Sequence, residues 1–285
     1  MTDAIPPVQL QTDRPNMARM YDYALGGKNN FAADRAAVER LFSLSPENKY
    51  VPLANRRFLG RAVDFAARQG ITQYLDLGAG LPSMGNVHEV AKLVRPEARV
   101  AYVDNDPVVA AHARALLTSA DATVRVVQED VRDPAKVLGH PDVVQLIDFG
   151  RPVAVLLVSL LHGITDEEDP AGLVRAFTEV TAPGSYLILS HLTRDGHPAD
   201  IVHSKEEVFA RSNTVFRYRA RAEIEAYFAG FDLVEPGLTP VTDWRSEGTE
   251  ESAADADPDL AAAGSWWLGG VALKAAEPPR TRSRR

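Results

Sequence analysis

The chain alternates between short apolar runs and amphipathic stretches from residue 73 onward. The apolar runs predict β-strands at residues 73–77, 99–103, 123–128, 153–160 and 185–191. Stretches with apolar residues at helical spacing lie between these runs, at residues 83–94, 107–118, 134–147 and 168–181, and the third should break between Gly139 and Pro141. This alternation predicts an α/β fold with a parallel sheet and helices on both of its faces.

The pattern differs on both sides of this alternating region. Before it, helices are predicted at residues 16–25, 32–44 and from Pro52 to Gly70, with Asn16 as the first N-cap and Gly26 and Gly27 at the end of the first helix. After it, helices are predicted from a capping box at residues 204–207 and over residues 220–229, and strands at residues 231–234 and 266–273. The sheet should therefore hold seven strands, and the N-terminal helices should cap its edge or a ligand site.

These elements predict one α/β domain with additions, since 285 residues are few for two large domains. The expected divisions are a flexible arm at residues 1–14, a helical cap at residues 15–70, the sheet domain at residues 71–274 and a basic tail at residues 275–285. Residues 246–262 are rich in acids and alanine and predict a solvated loop before the last strand.

Composition and charge exclude several kinds of function. The chain has no cysteine, which removes disulfides, thiolate metal sites and cysteine nucleophiles. The seven histidines are scattered, so no metal site is predicted. The net charge of −8 argues against a broad nucleic-acid-binding face. Neither a membrane-spanning run nor a signal peptide is recognisable, so we expect a cytoplasmic protein without membrane contact.

The glycine turn after the first strand carries the strongest chemical signal. Residues 76–80 read Asp-Leu-Gly-Ala-Gly, and the second strand ends in Asp104. Such a turn brings backbone N–H groups close to a ligand, and an acid about twenty residues later suits ribose hydroxyls. The pattern favours a nucleoside-containing cofactor over a structural turn with a surface acid. A dinucleotide motif would need a third glycine where Ser83 stands, which argues against a nicotinamide dehydrogenase.

Two stretches carry a resemblance to a known family. The strand order and the motif at residues 76–80 resemble the Rossmann-like fold of class I S-adenosylmethionine-dependent methyltransferases, with a mostly parallel seven-stranded sheet. The segment at residues 14–30, RPNMARMYDYALGGKNN, resembles the signature of an actinobacterial methyltransferase family long catalogued as a domain of unknown function. The resemblance covers residues 14–274 and implies S-adenosylmethionine as the cofactor. It does not define the methyl acceptor.

The resemblance also implies which residues bind the cofactor. The implied contacts come from the carboxyl ends of the first four strands: Asp76, Gly78, Gly80, Asp104, Asn105, Asp130, Val131 and Ser159. The glycines would line the methionine half, and Asp104 would bind the ribose hydroxyls. Asn105 would flank the adenine, and Asp130 would accept the adenine amino group beside the Val131 backbone. The alternative for Asp130 is an acid that caps the helix starting at Pro134.

The N-terminal segment adds three further candidates. The resemblance implies that Arg19, Tyr21 and Asp22 cover the amino-acid end of the cofactor. The double glycine that follows them begins a polar turn able to approach a ligand. The alternative is a small packing helix on which Arg19 and Asp22, three residues apart, form a solvated ion pair.

His162 is the candidate catalytic base. It follows a buried apolar strand, so its side chain should emerge at the carboxyl edge of the sheet, where ligands of this fold bind. The surrounding segment is similar to that of small-molecule O-methyltransferases, in which a histidine acts as the base. Asp166, Glu167 and Glu168 could orient the imidazole or begin the next helix. The alternative for His162 is a structural histidine.

The sequence thus predicts an S-adenosylmethionine-dependent methyltransferase that acts on a small-molecule acceptor. One alternative is a catalytically silent protein that binds the same cofactor as a sensor or partner subunit. A second is an RNA or protein methyltransferase, although the negative charge and the lack of an aromatic and basic stripe argue against RNA. The oligomeric state is not indicated by the sequence.

Overall fold

The computed structural model describes residues 12–82, 85–117, 121–212, 215–246 and 258–275. The helices are α1 Met17–Ala24, α2 Ala32–Leu44, α3 Val51–Arg68, α4 Val87–Val94, α5 Pro107–Leu117, α6 Pro134–Gly139, α7 Pro141–Leu146, α8 Pro170–Glu179, α9 Ala199–Ala210, α10 Arg221–Glu225 and α11 Pro258–Gly264. The strands are β1 Gln73–Leu77, β2 Arg99–Asp104, β3 Val124–Gln128, β4 Ala154–Val158, β5 Tyr186–Leu192, β6 Asp232–Leu233, β7 Thr239–Pro240 and β8 Trp267–Leu273.

All these strands join one sheet. Its main order is β3-β2-β1-β4-β5-β8-β6, and β7 also pairs with β8. Strands β1 to β5 pair in parallel, whereas β8 runs antiparallel to β5, β6 and β7. The chain moves outward from β1 to β3 and then returns to β4 on the other side of β1. Ligands of open parallel sheets bind at such a reversal, beyond the carboxyl ends of the strands.

The sheet is covered on both faces, as expected for parallel strands with continuous apolar runs. Every residue of β1, β4 and β5 is buried. Because neighbouring side chains of a strand point to opposite faces, Tyr74 packs in one core with Phe58 of α3, and Leu75 packs in the other with Phe177 of α8. The first core therefore includes side chains from both the predicted cap and the sheet, and the division at residue 70 stays a prediction.

The predicted order of elements is confirmed apart from one additional strand, because the described sheet has eight strands and not the predicted seven, and several boundaries are corrected. The third helix of the alternating region is broken at His140, as predicted. Strand β4 ends at Val158, before the predicted residue 160, because Ser159 has a φ of 61° and leaves the extended conformation. Helix α9 begins at Ala199, ahead of the capping box predicted at residues 204–207.

Two further differences concern helix α4 and the segment before β8. Helix α4 begins at Val87 and not at residue 83, because Asn86 and Glu89 form a capping box there. Strand β7 was not predicted, since two residues ending in Pro240 give no alternating pattern. Part of the predicted acidic loop is helix α11; residues 247–257 of that loop, the first eleven residues of the arm and residues 276–285 of the tail lie outside the described residues.

A buried carboxylate organises the helices before the sheet. Asp34 of α2 accepts hydrogen bonds from the backbone N–H groups of Asn16 and Phe31, at 2.8 and 2.7 Å. Its Oδ2 also accepts from Arg19 Nε at 2.8 Å, and the Asp34 side chain is fully buried. Asn16 caps α1, as predicted, by accepting from the Arg19 N–H at 3.2 Å. Asp34 thus fixes the start of α1 against α2.

We expect Asp34→Ala to lower the free energy of unfolding by about 3–5 kcal/mol, because removal of one partner leaves a buried guanidinium and two N–H groups unmatched. Urea unfolding measured by circular dichroism provides the test. Asp64→Ala is the matched control, since Asp64 pairs with Arg68 on the exposed face of α3. Equal losses in the two variants would contradict a stabilising role for the buried pair.

Candidate functional site

The turn after β1 is shaped by two glycines in the left-handed region. Gly78 has a φ of 72° and Gly80 a φ of 66°. The N–H groups of Gly78 and Ala79 donate to the Val103 carbonyl at 2.8 and 3.1 Å. A Cβ at Gly78 would lie 2.6 Å from Leu160 Cδ1, whereas a Cβ at Gly80 would meet no atom within 4 Å. The turn is therefore packed closely beneath Gly78 and open above Gly80.

A cavity of about 870 Å³ lies over this turn, at the carboxyl ends of β1, β2 and β4. One wall comes from the sheet and includes Asp76, Gly78, Gly80, Asp104, Asn105, Val131, Ser159 and Leu160. The other comes from the N-terminal helices and includes Asn16, Met17, Tyr21, Asp22, Gly27, Lys28, Arg56 and Arg57. The fold therefore brings the glycine motif and the N-terminal signature, which are far apart in sequence, to one site.

The sheet wall contains two carboxyl groups, the buried Asp76 and the partly buried Asp104. Burial, opposed by Arg56, raises the pKa of Asp76 to about 7. Burial also raises the pKa of Asp104 to about 6, against the opposing effect of hydrogen bonds from the N–H groups of Asp106 and Gly80. The bond from Gly80 N to Asp104 Oδ2 measures 2.8 Å and joins the turn after β1 to the end of β2. Both carboxyl groups can therefore accept hydrogen bonds from ligand hydroxyl or ammonium groups.

Of the residues predicted to bind the adenine, some line the cavity and one lies behind its wall. Asn105 and Val131 line the cavity, but Asp130 does not. Asp130 lies behind Asn105, whose Nδ2 is 3.3 Å from Asp130 Oδ2, and it accepts from the Arg132 N–H at 2.9 Å. The alternative role of Asp130 as the cap of the next helix is wrong, because Asp133 caps α6. The sequence spacing could not separate these two acids.

The three candidates from the N-terminal segment also differ in whether they line the cavity. Tyr21 and Asp22 line the cavity, whereas Arg19 does not and pairs with Asp34. The predicted neighbouring pair of Arg19 and Asp22 is wrong, because Asp22 Oδ2 accepts from the Asn29 N–H at 2.8 Å and from Asn30 Nδ2 at 3.0 Å. These bonds close the turn between α1 and α2.

The turn between α1 and α2 requires glycine at positions 26 and 27 for steric reasons. A Cβ at Gly27 would collide with the Asp22 carboxylate, so Asp22 can cover the turn only when residue 27 lacks a side chain. Gly26 has a φ of 81°, which also favours glycine. The polar turn predicted to approach a ligand therefore lies on the cavity wall.

Ser159 and His162 occupy different environments after β4. Ser159 lines the cavity, and its N–H donates to Ser190 Oγ at 3.1 Å. The expectation that the His162 side chain emerges at the sheet edge is wrong, because it is 1% exposed and does not line the cavity. Its ring packs edge-on against Phe216 and Trp267, at centroid distances of 4.3 and 5.3 Å.

Charge around His162 also differs from the expectation. Burial, with contributions from His191 and Arg219, lowers the pKa of His162 well below its usual value. Asp166 does not orient the imidazole, because it accepts from Arg219 Nη2 at 2.7 Å. Glu168 instead pairs with Arg132 at 2.6 Å. Use of His162 as a base stays a prediction, and these contacts give it a packing role.

Sequence reasoning missed three basic and polar residues on the cavity wall: Asn16, Arg56 and Arg57. Asn16 Nδ2 donates to Asp106 Oδ2 at 2.7 Å and so joins the cap to the end of β2. Arg56 and Arg57 lie outside the apolar stripe of α3. This polar position in the helix pattern is the sequence signal that could have identified them. Arg56 also donates to Asn86 Oδ1 at 3.3 Å.

Two features are absent from the described residues. Within that part of the chain, no group of three or more acids and histidines is arranged to hold a metal ion. No described helix is long and apolar enough to cross a membrane.

Comparisons with known proteins agree with this geometry. The family profile described as S-adenosyl methyltransferase matches residues 3–275. The structure is similar to that of a candidate methyltransferase from Thermobifida fusca YX, with 40% identity, a TM-score of 0.86 and coverage of 95% of this chain and 99% of the other. It is also similar to a DUF574 family protein from Streptomyces avermitilis MA-4680, with 37% identity, a TM-score of 0.84 and coverage of 92% and 98%. No curated protein matched the chain.

The matched region includes both walls of the cavity, and the two carboxyl groups and the open glycine turn fit a cofactor with ribose hydroxyls and an amino-acid end. The chain therefore belongs to the S-adenosyl methyltransferase family and is a methyltransferase that uses S-adenosylmethionine.

Proposed function

We propose that this methyltransferase acts on a small molecule bound beside the cofactor and beneath the N-terminal segment. The observation that carries the proposal is the cavity of about 870 Å³, whose walls come from both the sheet and the cap. Pockets for small molecules and cofactors measure about 300–1,000 Å³. A site with walls on opposite sides can enclose a small molecule, whereas a long polymer would extend beyond it.

The amino-acid end of the cofactor would lie between Asp76 and Arg56. The carboxylate of Asp76 suits an ammonium group, and the guanidinium of Arg56 suits a carboxylate. Backbone groups of Gly78 and Gly80 would lie along the same half. Asp22 and Tyr21, on the opposite wall, would cover this end, as the sequence resemblance implies.

The nucleoside end would lie toward β2 and β3. Asp104 would accept hydrogen bonds from the ribose hydroxyls while it keeps its bond from Gly80. Asn105 and Val131 would flank the adenine, because both line the cavity. Asp130 would act on the adenine by orienting the Asn105 amide, which donates a hydrogen bond to it.

The reaction depends more on how the protein positions the acceptor and the cofactor than on an acid or a base supplied by the protein. When bound, S-adenosylmethionine supplies the electrophilic methyl group. The chain aligns the acceptor for an in-line displacement and keeps water from the site. Ser159 and Leu160 lie on the sheet wall, and Met17 and Phe216 add apolar surface to the cavity. These residues would form the part of the site nearest the acceptor.

The direct test of the proposal uses labelled S-adenosylmethionine and actinobacterial extract divided by size. We expect the label to appear in the small-molecule fraction and to depend on the enzyme. Heat-treated enzyme is the control for chemical transfer. Label found only in protein or RNA would contradict the proposed acceptor class.

The raised pKa of Asp76 predicts a pH-dependent affinity for the cofactor. Its carboxyl group is neutral below pH about 7 and ionised above it, and only the ionised form attracts an ammonium group. We therefore expect affinity for S-adenosylmethionine to rise several-fold between pH 6 and 8, as measured by calorimetry.

The Asp76→Asn variant is the control for this pH effect, because an amide of the same shape does not titrate. It should bind more weakly at pH 8 and show a flatter pH profile. A variant profile as steep as that of the wild type would assign the titration to another group.

The Gly27→Ala variant tests whether Asp22 and the α1–α2 turn cover the amino-acid end of the cofactor. A Cβ there collides with the Asp22 carboxylate, so the bonds from Asp22 to the α1–α2 turn should be lost. We expect cofactor binding to weaken by about 1–3 kcal/mol in calorimetry. Gly139→Ala, at the end of α6, is the control because a Cβ at Gly139 meets no atom within 4 Å. Unchanged binding in Gly27→Ala would show that the turn only packs.

A further inference from the structure

A second cavity, of about 80 Å³, adjoins the cofactor cavity. The two share the lining residues Met17, Tyr21, Ser159 and Phe216. The walls of this second cavity come from α1, α2, α3, α9, β5 and β8 and from the segments between them. It therefore extends from the acceptor side of the site, near Ser159, into the space between the cap and the last strand.

The lining of this second cavity is mostly apolar and aromatic. Phe42, Phe209, Phe216 and Trp267 contribute rings, and methionine, leucine and valine side chains fill the gaps between them. The rings of Phe209 and Phe216 are stacked, with centroids 4.2 Å apart. The second cavity is smaller than an engineered cavity of about 150 Å³ that holds benzene, so by itself it suits a short aliphatic group. A ring would extend from it into the adjoining cavity, with which it shares lining residues.

Two hydrogen-bond donors on the residues of this wall lack partners. Lys205 Nζ and Trp267 Nε1 are both buried and make no hydrogen bond in the described structure. Lys205 is 1% exposed, and its Nζ lies 3.0 Å from the centre of the Trp266 ring. Buried donors are normally matched, so two unmatched donors on residues that line the same cavity indicate a ligand group that accepts hydrogen bonds.

The charge of Lys205 is only partly balanced by its surroundings. Burial lowers the pKa of Lys205 to about 7, and Glu47 opposes this shift. Glu47 is itself engaged, because its Oε1 accepts from Trp266 Nε1 at 3.0 Å. An anionic group in the cavity would stabilise the ammonium, whereas a cationic group would be repelled by it.

We propose that this aromatic cavity binds a ring of the methyl acceptor and that Lys205 and Trp267 bind an acidic oxygen group, a carboxylate or phenolate, on that acceptor. The inference rests on the proposed function and makes it more specific, because it selects acidic aromatic molecules over amines. Lys205 is thus a specificity-determining residue, and the methyl-accepting atom would lie toward Ser159, where the two cavities meet.

The test uses benzoate and benzylammonium as probes, which have a similar ring and opposite charge. Each is titrated by ligand-observed NMR into the full chain saturated with S-adenosylhomocysteine, so the probes cannot occupy the cofactor site. We expect benzoate to bind and benzylammonium to bind at least about tenfold more weakly.

Variants locate the probe. Lys205→Met keeps an unbranched side chain one atom shorter and removes the charge, so benzoate affinity should fall about tenfold, while Lys205→Arg should retain most of it. Ala24→Phe should block benzoate, because Ala24 lines the second cavity but not the first. Lys136→Met, on the exposed part of α6, is the control. Circular dichroism and S-adenosylhomocysteine affinity show that each variant is folded.

The outcomes separate this inference from the proposed function. Equal affinity for the two probes, or benzoate binding unchanged in both Lys205→Met and Ala24→Phe, would overturn the inference. Such a result would leave methyl transfer to a small molecule intact, because that is measured by label uptake. Label found only in macromolecules would overturn the proposed function and, with it, the acceptor assignment of the cavity.

Discussion

The hydrogen bond from Gly80 N to Asp104 is the contact on which the site depends. It joins the ends of β1 and β2 and directs the glycine turn toward the cavity. The bond requires a left-handed residue at position 80, and it keeps the second carboxylate oxygen of Asp104 on the Asp106 N–H at 2.9 Å. Burial of both acids then raises their pKa values. Backbone geometry therefore sets the electrostatics of the sheet wall.

The opposite wall depends on a different kind of contact. Buried polar groups hold the first two cap helices together, alongside the apolar packing of the cap against the sheet. Asp34 collects three donors, and Asp22 closes the turn that follows α1. Buried acids with several donors specify a single arrangement, because any slip leaves charges unmatched. This explains why a polar signature can form a precise wall.

Local signals in the sequence were sufficient to predict the fold and the wall of the site that the sheet provides. Apolar strands, helix caps and the glycine motif predicted the sheet and placed Gly78, Gly80 and Asp104 together. Sequence could not show that Arg19 turns to Asp34, because that partner is fifteen residues away and on another helix. It also placed His162 at the sheet edge, since a strand pattern does not reveal that a 3₁₀ turn at Leu161–Gly163 directs the ring into an aromatic core.

The Arg56 and Arg57 pair and the second cavity were missed for a similar reason. Both arise where α3 or α9 meets the sheet, and tertiary packing alone decides which face of a helix lines a cavity. Spacing within one helix separates an apolar from a polar face. It does not distinguish a polar face in solvent from one that borders a ligand site.

The bond between Asn16 and Asp106 has a kinetic consequence. It is a 2.7 Å contact between the cap and the end of β2, at the rim of the cavity. The bond restrains the cap against the sheet, so it resists separation of the two walls around a bound ligand. It would therefore slow any exchange of ligand that requires the walls to move apart.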